Sequence, residues 1–409
     1  MNFEQNLDLI KDGLAEIIGE KELDEKIKSG KTLKVYWGTS PTGKPHIGYF
    51  LPLVKIAQLV KAGCEVTILF ADLHAYLDAM KTTWELLEFR TQYYEILLKQ
   101  ILIELEVDLD KIKFVKGSDY QLNKDYTIDV YKFMSKISVD SAQKGGAEVV
   151  KQSTNPALSG LAYPLLQVLD EVYLNADAEL GGQDQRKIFM LSRDHIHKLG
   201  YSPAIHLMNP MIPSITAKPV GTELAELDDS VKPEQIDKYI EQINKLKQKN
   251  LSWDNFLKIS GKISSDLKDK YGPKSNSNKM SSSDLDSKID FMENAKSIQK
   301  KISKAYAEPA NPSNTLFLFL RYVIFPINKL KSISKFIINR DEQYGGLIEY
   351  DCLESISDDY TNNKLVPGDL KLGISNWLIN FLTPIQQKLN TTEFNELVSK
   401  AYSTQSNYN

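Results

Sequence analysis

Cysteine is nearly absent from this chain: Cys64 and Cys352 are the two among 409 residues. So few exclude a disulfide framework and a cysteine-based zinc site, and they suit a reducing compartment such as the cytoplasm. Long apolar runs are missing too. None approaches the roughly 20 residues that span a bilayer, so no membrane contact is expected. A strong charge of either sign is also lacking, the net value being −4, so any contact with nucleic acid has to come from local basic faces. The opening MNFEQNLDLIKDGLAEIIGEKELDEKI has neither a secretion signal nor an arginine-rich transit pattern; it reads as an acidic amphipathic helix. What remains is 42% hydrophobic and 25% charged, the composition of an ordinary globular protein. The length allows two or three domains with proper cores.

Residues 1–30 read as helices ahead of the first strand. Short apolar runs then alternate with helical stretches: LKVYWGT from Leu33, VTILF from Val66, IKFV from Ile112 and IHLMN from Ile205. Strands separated by helices need crossover connections, which gives an α/β fold with a doubly wound, Rossmann-like parallel sheet over 31–290. Trp84 to Leu109 and Tyr126 to Ala147 carry helical periodicity. From Phe291 to about residue 400 the pattern is mainly helical, and 401–409 is a polar tail. Between them, residues 217–278 form an extra insertion. Pro233 can start a helix there with Ile236, Ile240, Ile243 and Leu246 on one face, and a second helix fits Trp253, Phe256, Leu257 and Ile263. Lys245 to Lys274 holds eight lysines against three acids. An inserted helical hairpin near the active site and a passive surface insertion both fit.

Two motifs carry the chemistry. After the first strand comes SPTGKPHIGYF, a glycine-bearing loop with His46 and Gly48 where a helix begins. A strand feeding a loop and a helix N-terminus is a phosphate site, because free N–H groups and the helix dipole point at the anion. Far downstream stands KMSSS, Lys279 to Ser283, a lysine-led hydroxyl loop suited to a triphosphate. GGQDQRKIF, from Gly181, offers a glycine for close approach and an acid, Asp184, for ribose hydroxyls. LSGLAYPLLQVLDEVYL spaces Tyr163, Gln167 and Asp170 at i, i+4 and i+7, which puts a phenol, an amide and a carboxylate on one helix face.

Together these resemble the HIGH and KMSKS elements and the amino-acid pocket of class I aminoacyl-tRNA synthetases, of the tyrosyl family in its eukaryotic-cytosolic or archaeal form. The resemblance covers nearly all of 33–216 and 279 to about 390. It departs at Tyr49, where the general pattern has a second histidine, and at Ser282, where KMSKS has a second lysine. By resemblance, His46 and Lys279 are catalytic. Gly38, Thr39, Gly43, His46, Gly48, Gly182, Asp184, Met211, Ile212, Lys279, Met280, Ser281 and Ser282 hold ATP, bound with Mg²⁺, and no protein-bound metal is implied. Tyr163, Gln167 and Gln185 hold the tyrosine ammonium, Tyr36 and Asp170 its phenolic hydroxyl, and His74 lines the pocket. The helical insertion, at about 120–160, supplies a homodimer interface. In the C-terminal part the resemblance implies a helical anticodon-binding domain, with Tyr344 and Asp369 meeting tRNA(Tyr). The tryptophanyl enzymes share the fold, but an indole has one N–H and no hydroxyl, which argues against them given Tyr36 and Asp170. A non-catalytic RNA-binding relative would not need His46, Asp184 and Lys279. A plain nucleotidyltransferase would lack the Tyr163–Gln167–Asp170 face and the C-terminal helices.

Overall fold

The computed structural model describes residues 3–78, 81–149, 157–217 and 288–402. The inserted segment from Lys218 onward and the whole KMSSS loop lie outside these residues. In chain order the first part runs α1 (Phe3–Lys11), β1 (Glu16–Ile18), α2 (Glu20–Lys28), β2 (Lys34–Thr39), α3 (Phe50–Lys61), β3 (Glu65–Phe70), α4 (Asp72–Leu77), α5 (Leu87–Glu104) and β4 (Ile112–Lys116). Next come α6 (Ser118–Gln121), α7 (Lys124–Met134), α8 (Val139–Gly146), α9 (Ser159–Tyr173), β5 (Ala178–Gly182), α10 (Arg186–His195) and β6 (Ile205–Asn209). The C-terminal part is α11 (Ala295–Ser303), α12 (Thr315–Phe319), α13 (Phe325–Leu330), β7 (Phe336–Asn339), β8 (Leu347–Tyr350), α14 (Leu353–Thr361), α15 (Pro367–Leu389) and α16 (Thr392–Tyr402).

The strand order is β1-β6-β5-β2-β3-β4. β6, β5, β2, β3 and β4 are parallel, as the crossover helices require. The sheet nevertheless differs from an all-parallel one at its edge, where β1 pairs antiparallel with β6. That strand lies within the stretch expected to be only helical. It is bounded by Gly13 and Gly19, both at positive φ, which turn the chain out of α1 and into α2.

The central strands are buried on both faces, so they read as unbroken apolar runs rather than alternating ones. The chain leaves β2 toward β3 on one side and reaches β5 on the other, which opens a crevice at the C-terminal ends of β2 and β5. Tyr36 of β2, Glu179 of β5 and His206 of β6 pair in one row across the sheet.

One core runs through the sheet and the C-terminal helices. Phe50 at the start of α3 joins them, with its ring edge against Phe291, Phe319, Trp377 and Phe381 at centroid distances of 5.0–6.4 Å. Between α12 and α13, Leu320–Ile324 widens into a π-helical turn just before Pro326, whose missing N–H cannot continue an α ladder. The C-terminal part is mainly helical, as expected, but also holds the antiparallel β7–β8 hairpin, turned by Gly345 and Gly346 at positive φ.

Candidate active site

The loop after β2 is held from below. Tyr94 Oη–H of α5 donates to the Gly43 carbonyl (2.5 Å), and Thr82 Oγ1–H donates to that of Pro41 (3.0 Å). The buried Arg90 guanidinium donates to Thr82 Oγ1 (3.0 Å) and to the Ala401 carbonyl of α16 (3.0 Å). The C-terminal helix and the phosphate loop therefore share one buried arginine. His46 caps the turn Ile47–Tyr49 that leads into α3, and the Gly48 N–H donates to its Nδ1 (3.2 Å). A histidine accepting at Nδ1 carries its proton on Nε2 and so keeps a donor. Ile47 N–H donates to the Ile289 carbonyl (2.9 Å), and His46 bridges Asp290. The chain at Ile289 and Asp290 thus runs beside His46. Lys279, Met280, Ser281 and Ser282 lie outside the described residues. Tyr49, in the place of the second histidine, sits with its hydroxyl 3.4 Å from both Thr39 Oγ1 and Tyr94 Oη, and its ring edge meets Trp37 and His46.

Across the crevice, β5 ends in Gly181 and Gly182. A methyl on Gly181 would lie 2.6 Å from Phe189 Cζ, and one on Gly182 would overlap the Asp184 carboxylate. Gly181 serves close packing under the Phe189 ring rather than a left-handed backbone, and Gly182 leaves the Asp184 carboxylate its place. Gly38, the exposed residue near the end of β2, completes the open floor. Met211 and Ile212 follow β6 at the same edge of the sheet, Met211 exposed and Ile212 buried.

Helix α9 lies over the Tyr36–Glu179–His206 row, and its Gln167 meets the sheet while Tyr163 and Asp170 face α4, α6 and α7. Tyr163 meets the buried His74 edge to face, with centroids 4.7 Å apart. Burial pushes His74 down to about 4, so it is neutral at physiological pH. The Gln167 amide donates to Glu179 Oε1 (2.8 Å) and Gln185 Oε1 (3.2 Å). Tyr36 Oη–H donates to the Gln167 carbonyl at the long distance of 3.4 Å.

Asp170 is 1% exposed. Its Oδ1 accepts from Tyr120 Oη–H (2.7 Å), Gln121 Nε2–H (2.8 Å) and Tyr126 Oη–H (2.9 Å). Its Oδ2 has only Gln121 Nε2 at 3.1 Å and His74 Nε2 at 3.8 Å, so Oδ2 is the oxygen with room for another donor. Burial raises the Asp170 carboxyl to about 7, against the hydrogen bonds from Gln121, Tyr120 and Tyr126, which favour the ionised form.

Behind the pocket, Glu171 accepts from Ser192 Oγ–H (2.7 Å) and Ala204 N–H (3.0 Å) and pairs with His206 Nε2 (2.9 Å). Glu171, Glu179 and His206 could together ligate a cation, their donor atoms lying within 4.8 Å of one another. Glu171 already uses both oxygens in hydrogen bonds, so the cluster reads as a buried polar network.

At the far end of the molecule, Tyr344 is 66% exposed on the turn Glu342–Tyr344. Asp369, in the first turn of α15, accepts from Arg340 Nη1–H (3.4 Å), whose Nε–H also donates to the Gly346 carbonyl (3.0 Å). One arginine thus ties the hairpin turn to the start of α15.

A model of the family described as tRNA synthetases class I (W and Y) matches residues 28–259 and 239–383. The chain belongs to this synthetase family. Among related synthetases, the Danio rerio protein named tyrosine–tRNA ligase, cytoplasmic, is 42% identical over 98% of this chain. The chain spans 63% of that relative's length. The Saccharomyces cerevisiae protein of the same name is 39% identical over 96% of this chain and 86% of its own length. The crystal structure of the Archaeoglobus fulgidus tyrosyl-tRNA synthetase complexed with L-tyrosine has a TM-score of 0.71 at 28% identity, covering 95% of this chain and 99% of that one.

Some residues of the candidate site were not legible from sequence. Tyr120, Gln121 and Tyr126 reach Asp170 from 50, 49 and 44 positions away. The only local hint is the polar run GSDYQLNKDY after a strand. Glu179 had a clearer signal, a carboxylate inside a run otherwise fit for a central strand.

Proposed function

We propose that this chain is a tyrosine–tRNA ligase. The tyrosine carboxylate attacks the α-phosphorus of ATP, bound with Mg²⁺ as a substrate complex, to give tyrosyl-adenylate and pyrophosphate. A ribose hydroxyl of the 3′-terminal adenosine of tRNA(Tyr) then takes the tyrosyl group. The observation that carries this reading is the buried Asp170, whose Oδ2 has room for one more hydrogen-bond donor. A phenol supplies that donor; phenylalanine would leave the acid unmatched. The tyrosine selection of tyrosyl-tRNA synthetases is itself the standard example of this asymmetry.

In the site, Tyr36 and Asp170 face the phenol, Tyr163, Gln167 and Gln185 the amino group, and His74 the ring. Gly38, Thr39, Gly43, Gly48, Gly182, Asp184, Met211 and Ile212 surround the nucleotide. His46 donates through Nε2 to the charge that builds on the α-phosphate. Lys279 with Met280, Ser281 and Ser282 binds the leaving pyrophosphate. With Ser282 in place of a second lysine, Lys279 and Mg²⁺ carry more of that charge. Catalysis is positioning and charge stabilisation, without a protein nucleophile.

ATP–pyrophosphate exchange in the presence of each amino acid tests the reading. Tyrosine alone should support it, without tRNA; exchange with tryptophan and none with tyrosine would refute it.

The exposed Tyr344 and the Asp369 carboxylate suit stacking on an anticodon base and accepting from its edge. Tyr344→Ala and Asp369→Ala are expected to weaken aminoacylation while sparing exchange, since one stacked base is worth roughly 1–3 kcal/mol. Equal loss in both assays would place these residues in the catalytic machinery.

A homodimer fits the surface of α7 and α8. Leu122, Ile128, Tyr131, Met134 and Val139 expose large apolar side chains there, and such a patch commonly marks an interface. Light scattering at micromolar concentration should give twice the chain mass, and Tyr131→Lys with Val139→Lys should shift it to the monomer. A fully active monomer in the unaltered chain would overturn the assembly.

A further inference from the structure

Amide side chains recognise by orientation, and that of Gln167 is fixed from behind. Both hydrogens of its Nε2 are used, one on Glu179 Oε1 at 2.8 Å and one on Gln185 Oε1 at 3.2 Å. A flipped amide would set its oxygen against those two oxygens, so the nitrogen stays inward and Oε1 turns to the half-exposed, pocket side. An ammonium needs an acceptor, which is what an outward Oε1 supplies. We infer that Glu179 is a positioning residue for the substrate amino group, acting through the Gln167 amide. The inference rests on the reading of the site as a tyrosine pocket.

Glu179 is suited to hold a neighbour still. It is 2% exposed, on a central strand, locked in register between Tyr36 and His206. Its Oε2 is buried without a hydrogen bond of ordinary geometry, though the Tyr36 hydroxyl beside the carboxyl favours its ionised form, and Oε1 on Gln167 is its one short bond. Burial and the neighbouring Glu171 charge raise the Glu179 carboxyl well above the usual range. A protonated carboxyl still offers Gln167 its carbonyl oxygen, and a glutamine at 179 would offer the same.

Two ligands separate this role from a structural one. Tyramine has the phenol and the amine; 3-(4-hydroxyphenyl)propionate has the phenol and no amine. Calorimetry on the full chain should show Glu179→Leu weakening tyramine about tenfold while the propionate changes less than about twofold, the loss of one hydrogen bond to a charged group. Glu179→Gln should stay within about threefold of the parent for both ligands, since it keeps the acceptor. In a Gln167→Leu background, Glu179→Leu should cost nothing further, because the residue it acts through is gone. Equal weakening of both ligands, loss of all binding, or additive losses in the double variant would overturn the inference. A parent that binds neither ligand would instead refute the tyrosine pocket itself.

Discussion

Asp170→Ala is expected to lower kcat/KM for tyrosine in pyrophosphate exchange by roughly 30- to 4,000-fold, the equivalent of about 2–5 kcal/mol. The size follows from what the carboxylate holds. Tyr120, Tyr126 and Gln121 all donate to it inside the protein; alanine takes this acceptor from Tyr120 and Gln121, while Tyr126 keeps the Leu166 carbonyl at 2.9 Å. The substrate hydroxyl loses its acceptor as well, so tyrosine should lose its advantage over phenylalanine. Asp170→Asn keeps the shape but turns one oxygen into a donor facing Gln121 Nε2. It should fall between the parent and alanine. Unchanged kinetics with tyrosine in the alanine variant would place the phenol elsewhere.

The same carboxylate sets a pH dependence of known sign. An acid whose folded value is raised to about 7 holds a proton below that pH, and because Oδ1 already accepts three donors the proton sits on Oδ2, the oxygen a phenol would need. The KM for tyrosine should therefore rise as the pH falls through about 7. Stability runs the other way. Between about 4, the unfolded value, and about 7 the folded chain binds the proton that the unfolded chain has lost, so this group's favourable contribution is lost as pH rises through that window. His74 cannot be the source of a transition near 7, because burial leaves it neutral down to about 4. Asp170→Asn should flatten both trends.

How far the sequence reveals this molecule depends on whether a feature is local. β2, β3, β4 and β6 are apolar runs between turns, and each is found where the run stands. β1 is three half-buried residues between two glycine turns, too short to carry a period. β5 is AELGG, interrupted by a carboxylate and two glycines. It is a strand because Gln167 satisfies the carboxylate and Phe189 needs the space over Gly181. The hairpin of β7 and β8 likewise depends on burying Phe336 and Ile338 against α15, where Gly373 leaves room for both side chains. The face of α9 was legible because a helix has a fixed period. Its partners were not, since Tyr120 and Gln121 stand at the start of the same β4–β5 connection, some fifty residues before Asp170, and meet it only when that connection folds back on itself.

His46→Ala should cost catalysis and stability by separate routes, and the two can be pulled apart. Losing a donor aimed at developing charge typically lowers kcat by about 10²–10³-fold, with KM for ATP and tyrosine nearly unchanged because the interaction strengthens only in the transition state. Independently, the Gly48 N–H loses the acceptor that caps the turn into α3, worth roughly 0.5–2 kcal/mol of stability. Asparagine is a good cap, but its short side chain ends where the imidazole ring begins, so it can accept from Gly48 without reaching the phosphate. His46→Asn should then recover most of the melting temperature lost in His46→Ala and none of the lost kcat. If asparagine restored both together, the histidine would be a structural cap. A kcat untouched by alanine would remove His46 from the chemistry altogether.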